Sequence, residues 1–225
     1  MTLARAAAAE AIGTALLLAI VVGSGIMGEK LADGNAAVAL LANAIATGAG
    51  LYVLIVMFGP ISGAHFNPIV SGVCVCEGTL TRRAFAAYVL AQVSGAFAGV
   101  ASTHAMFGLP ILQASAHVRP TMGEAFGEVI ATFGLVLAIV LTSQFRRDAI
   151  ALVVACFITS AYWFTSSTSF ANPAVTLARA ATDTFAGISP ADVPIFIAGQ
   201  IVGGALAVLF SRWLLREQAG AAGRE

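Results

Sequence analysis

Two Asn-Pro pairs, Asn67-Pro68 and Asn172-Pro173, carry the most specific chemistry in these 225 residues. Each opens a helix-compatible run inside an apolar stretch too short to cross a bilayer, 60–77 and about 167–181. Pro at the first helical position, with Asn before it as cap, is a strong helix start. About ten helix-compatible residues follow each pair, which is roughly 15 Å, or half a bilayer. Both stretches read as half-helices that dip into the membrane and return. Irregular backbone at that depth is tolerated only against protein or a watery cavity, so the pairs imply a pore wall. The chemistry on offer is hydrogen-bond exchange rather than bond-making, because an Asn amide can replace water around a solute. No nucleophile–base pair or metal-ligand cluster accompanies them, and His65, His104 and His117 are scattered. Neither a catalytic residue nor a cofactor nor a bound metal is expected.

The elements that must hold these pairs follow from composition. Hydrophobic residues make up 59% and charged residues 10%, with a mean hydropathy of +0.93. Soluble domains carry about 25% charged residues, so lipid is the expected solvent. Zero net charge at pH 7 speaks against nucleic-acid binding. A bilayer core of about 30 Å needs about 20 apolar residues. Six stretches qualify: about 6–28, 36–59, 84–107, 122–143, 149–166 and 193–215. The run from Ala6 to Met27 reads as a retained helix rather than a cleaved leader. With the N-terminus inside, Arg5, Arg82, Arg83, Arg146, Arg147, Arg212, Arg216 and Arg224 are cytoplasmic. Lys30, Arg119 and Arg179 then lie outside. That eight-to-three bias fits the positive-inside rule and puts both termini in the cytoplasm.

Three landmarks occur twice in the same order. Glu10-Ala-Ile-Gly-Thr14 is echoed by Glu128-Val-Ile-Ala-Thr132, Asn67-Pro68 by Asn172-Pro173, and Gln92 with Gly95 by Gln200 with Gly203. The offsets are 118, 105 and 108 residues, as in a tandem duplication with loop-length drift. The halves run about 1–110 and 120–225, within one channel-like domain. Each half holds three spans, so the second sits inverted, and the two Asn-Pro turns meet at the midplane from opposite faces. Two positive helix ends and two Asn amides converge there.

Ser62-Gly63-Ala64-His65-Phe66-Asn67-Pro68 and Asn172-Pro173-Ala174-Val175-Thr176, with the duplicated Glu and Gln, resemble the aquaporin and glycerol-facilitator (major intrinsic protein) family over nearly the whole chain. The resemblance implies an all-α membrane fold of six transmembrane helices and two re-entrant half-helices. It further implies a homotetramer in the bilayer with one pore per protomer, passing uncharged solutes passively. It casts Asn67 and Asn172 as donors, and the carbonyls of Gly63, Ala64 and His65 and of Thr168, Ser169 and Phe170 as acceptors. Glu10 and Glu128 read on their own as transport carboxylates; the family makes them supports for the re-entrant loops instead.

By the same resemblance a second constriction lies toward the outer mouth. Counting from the two Asn residues places Thr47, Ser160, Ser169 and Val175 there. Most members carry Arg at the last position and commonly an aromatic at the first. Thr47 and Val175 therefore imply a wide, hydroxyl-lined filter without Arg, suited to water, glycerol, urea or arsenous acid (arsenite). The Val-for-Arg exchange is similar to the arsenic-resistance aquaporins of bacteria, which implies an inner-membrane location. The alternative is a general water and glycerol facilitator without a metalloid role; an ion-coupled secondary transporter is the more distant rival.

Other residues carry plainer expectations. Arg179 has Asp183 at i+4, so a surface pair is expected ahead of a positive charge at the outer mouth. The His65 ring orients its loop; gating by its protonation is the alternative. Cys74 and Cys76 read as core packing, while Cys156, one turn before Ser160, is the thiol with a chance of facing the pore. Gly95, Gly99, Gly199, Gly203 and Gly204 permit close helix crossing.

Overall fold

Thr2, Asn35, Thr81 and Thr121 each accept from a backbone N–H two or three residues on, and each starts a long helix. Thr121 completes a capping box with Glu124, so four of the long helices begin on polar caps. A computed structural model describes residues 1–119 and 121–221; Pro120 and Arg224 lie outside them. The helices are α1 (Leu3–Leu31), α2 (Ala36–Ser62), α3 (Pro68–Cys76), α4 (Arg82–Phe107), α5 (Met122–Phe145), α6 (Ile150–Phe164), α7 (Pro173–Arg179) and α8 (Val193–Ala221). A 3₁₀ turn, Arg147–Ala149, leads into α6, and the described residues form no strand.

Six spans are long and apolar enough to cross a membrane, the fifth being α6 together with the 3₁₀ turn before it (Arg147–Phe164), and α3 and α7 are the two short helices. The expected order of spans and half-helices is therefore the one observed. Several boundaries shift by a few residues, and two of the shifts bear on the site. Helix α2 continues through Pro60 to Ser62, because the missing N–H falls only in its last turn. Gly63, at φ 90°, then ends it by donating to Gly59 O. Helix α7 has 7 residues rather than about ten.

Within each half, the first and third spans pack most closely, α1 on α4 and α5 on α8. A Cβ on Gly95 or Gly99 would strike the carbonyls of Ala11 or Ala15, and one on Gly199 or Gly203 those of Ala125 or Val129. Small residues therefore set both crossings, as in other membrane bundles. Gly204 does something else: it makes room for Ile69 of α3. Helices α2 and α6 join the halves. Outward faces carry exposed Ile45, Leu90, Phe126, Leu152 and Leu206, a surface made for acyl chains. Arg212 of α8 donates to Cys76 O at 2.7 Å and pairs with Glu77 at 3.2 Å, tying down the end of α3.

Candidate functional site

Asn67 and Asn172 each do two jobs. Their Oδ1 atoms cap their own half-helices, Asn67 accepting from Ile69 N at 2.9 Å and Asn172 from Ala174 N and Val175 N at 3.0 and 3.3 Å. Their Nδ2 atoms reach across the repeat: Asn67 donates to Ala171 O and Asn172 to Phe66 O, both at 2.7 Å. An amide nitrogen has two hydrogens, so each Asn keeps one for the cavity that both side chains line. Pro68 and Pro173 occupy the first helical positions, and Ala174 is fully buried behind the second.

The loops leading into these caps share an unusual backbone. Gly63, Ala64 and Phe66 have positive φ, as do Thr168, Ser169 and Ala171 at the matching positions 105 residues on. Side chains other than glycine rarely adopt this region, and a loop holds it only when neighbours over-determine it. The buried carboxylates do that. Glu10 accepts from His65 N (3.0 Å), Phe66 N (2.7 Å), Ser62 Oγ (2.6 Å) and Gln92 Nε2 (2.8 Å). Glu128 accepts from Phe170 N and Ala171 N (both 2.8 Å) and Gln200 Nε2 (2.6 Å). Gln92 and Gln200 continue to Ser71 and Thr176 on the half-helices.

Between the loops runs a cavity of about 200 Å³. Its lining includes the polar Asn67, Asn172 and Ser169 and the loop residues Gly63 to Phe66 and Phe170. Aliphatic side chains from the spans line it as well, among them Leu17, Val21, Leu135, Ile139, Val154 and Ile158. Thr168, expected among the acceptors, lies half-buried outside this lining, and Phe66 is part of it.

Of the four counted filter positions, Thr47, Ser169 and Val175 line the cavity and are at most 5% exposed. Ser160 does not. It is exposed, with its hydroxyl turned back to Phe157 O at 2.8 Å. Helix α6 presents Ile150, Val154, Ile158 and Tyr162 to the cavity, one every fourth residue, and Ser160 falls between them on the far side. Tyr162 takes the place assigned to Ser160, its hydroxyl 3.3 Å from Thr47 Oγ1. An aromatic ring absent from α2 is thus supplied by α6.

The expected surface pair of Arg179 with Asp183 is also corrected. Arg179 lines the cavity, 3% exposed, and does not pair with Asp183. Helix α7 ends at Arg179, so the i+4 relation has no helix to act through. Asp183 accepts instead from Ala116 N at 2.8 Å. The thiol at the cavity is Cys74, whereas Cys156 is exposed on the outer face of α6. The His65 ring, also at the wall, lies 3.0 Å from Ser71 Oγ and 3.5 Å from Cys74 Sγ.

Set beside known proteins, residues 1–149 match the family model described as "Major intrinsic protein". The chain is 53% identical over 214 residues to "Aquaglyceroporin AqpS" of Rhizobium meliloti (strain 1021), covering 95% of this chain and 91% of that one. It is 36% identical over 128 residues to "Aquaporin-2" of Rattus norvegicus, covering 54% and 46%. Its fold is similar to the X-ray structure of the aquaglyceroporin from Plasmodium falciparum, with a TM-score of 0.74 at 19% identity over 93% of this chain and 95% of that one.

Proposed function

This chain belongs to the major intrinsic protein family of passive membrane channels, and on that premise we propose that it carries small uncharged, hydroxylated solutes alongside water, glycerol and arsenite among them. The observation that supports this reading is the mixed lining of the cavity. A polyol carries both hydroxyls and C–H, and the cavity offers polar loop residues and aliphatic side chains together. Each hydroxyl stripped of water meets an Asn donor or a loop carbonyl, while the hydrocarbon part meets Leu and Ile. Arsenous acid, a neutral trihydroxy species near pH 7, asks for the same contacts. The proposed assembly is a homotetramer in a bacterial inner membrane, both termini in the cytoplasm.

Glu10 and Glu128 argue against the transporter reading. Every oxygen of both carboxylates already accepts at least one hydrogen bond from the loops or their supports. Neither faces the path as a free relay. Stopped-flow measurement of water, glycerol and arsenite uptake by proteoliposomes tests the proposal. Flux of each should rise over empty vesicles, without saturation and without an ion gradient. Val175→Arg should lower glycerol and arsenite flux several-fold more than water flux, because a second guanidinium narrows the cavity at a buried aliphatic position. Equal loss for all three solutes would remove Val175 from the selecting region.

A further inference from the structure

A buried cation without a carboxylate is costly at membrane depth and needs a physical account. Arg179 is such a cation. Its Nε donates to Ala186 O, and its guanidinium lies over the Phe170 ring, 3.4 Å from the centroid. Stacking and the Nε bond together fix the plane of the group. Among the described residues Nη1 and Nη2 donate to no protein acceptor and no carboxylate pairs with the side chain, yet the residue lines the cavity. A second guanidinium, Arg119, stands 5.2 Å from the same ring, but its Nε and Nη1 go to Gly187 O and Ser167 O. Arg119 is consumed by the loops; Arg179 is left for what passes.

An independent observation marks the same stretch of the cavity. Ser169, next to Phe170 in the chain and 3% exposed, has a buried hydroxyl with no partner. It lines the cavity along with Arg179. A buried hydroxyl left unsatisfied costs about 1–3 kcal/mol. Of the buried side-chain atoms without a partner among the described residues, Gln92 Oε1, Thr132 Oγ1, Gln200 Oε1 and Ser169 Oγ, Ser169 alone belongs to the cavity lining.

We propose that Arg179 and Ser169 form a solute station where a small neutral molecule with at least two hydroxyl groups is held, and that the Arg179 guanidinium is the barrier to cations. The proposal rests on the reading of this chain as a channel for neutral solutes. Guanidinium N–H groups only donate, so they hold oxygen lone pairs. The Ser169 hydroxyl both donates and accepts, so it serves a second hydroxyl of the same solute. Cations offer no lone pair and meet a fixed positive charge in a low-dielectric passage.

Proteoliposomes carrying wild type, Arg179→Leu, Arg179→Lys and Ser169→Ala decide it, with two readouts: the glycerol-to-water permeability ratio by stopped-flow scattering, and proton leak by an entrapped pH dye. Arg179→Leu should lower the ratio and raise the leak, each about tenfold, the scale of one charge-assisted hydrogen bond. Arg179→Lys should keep the leak low while lowering the ratio, since the charge stays and the stacked fork is lost. Ser169→Ala should lower the ratio a few-fold with no change in leak. Wild-type flux accompanied by an unaltered ratio and leak in Arg179→Leu overturns the station alone. Should that variant fail to insert, an unaltered ratio in both Arg179→Lys and Ser169→Ala overturns it equally. A wild type that passes neither water nor glycerol overturns the channel reading beneath it.

Discussion

Glu10 shows how little freedom a residue in this pore wall retains. Its Oε1 accepts from Ser62 and His65 and its Oε2 from Phe66 and Gln92. Glu10→Gln keeps the shape but sets an NH₂ against two donors on one side. That should cost about 2–3 kcal/mol, read as a fall in melting temperature of the purified protein and a loss of water flux. Glu10→Gln with wild-type stability and flux would mean that the carboxylate does not hold the loop. Cys74 yields a second expectation at this scale. It is the thiol on the cavity wall, so an organomercurial should block water flux in wild type and in Cys156→Ser but not in Cys74→Ser. Block lost in Cys156→Ser instead would put the reactive thiol on the other helix.

At the scale of elements, the spans, both half-helices and both anchor pairs were legible because each announces itself locally: length, an Asn-Pro start, a Glu or Gln in an apolar run. The residue that α6 brings to the cavity was not legible by counting. A count fixes distance along the chain, but facing depends on helical phase, and α6 turns Tyr162 rather than Ser160 inward. The signal was present in Ile150, Val154, Ile158 and Tyr162, spaced by four. Arg179 was misread for a related reason, since an i+4 pair presumes a helix that continues, and α7 stops there. Helix crossings, by contrast, are fixed by single small residues. Gly203→Val should be among the most damaging changes on α8, because even a Cβ would run into the Val129 carbonyl of α5. Loss of folded protein in detergent checks this, with Gly123→Ala, where the nearest atom to an added Cβ is 3.7 Å away, as the tolerated control.

For the whole molecule, duplication is more than a repeated sequence. The positive-φ positions, the carboxylate brackets and the capping amides recur in both halves. Two cavity-lining residues depart from that symmetry, Tyr162 and Arg179, and both come from the second half, where the proposed solute station is built. The crossed amide bonds also put a clock on biosynthesis. Asn67 finds its acceptor 104 residues later, and Phe66 O waits 106 residues for its donor. At a ribosomal pace of about 5–20 residues per second, the first re-entrant loop must survive roughly 5 to 20 s in the membrane with those groups unmatched. Until the second half arrives the nascent chain is an open ring, and a translocon or chaperone that shelters polar backbone has its longest task at that moment.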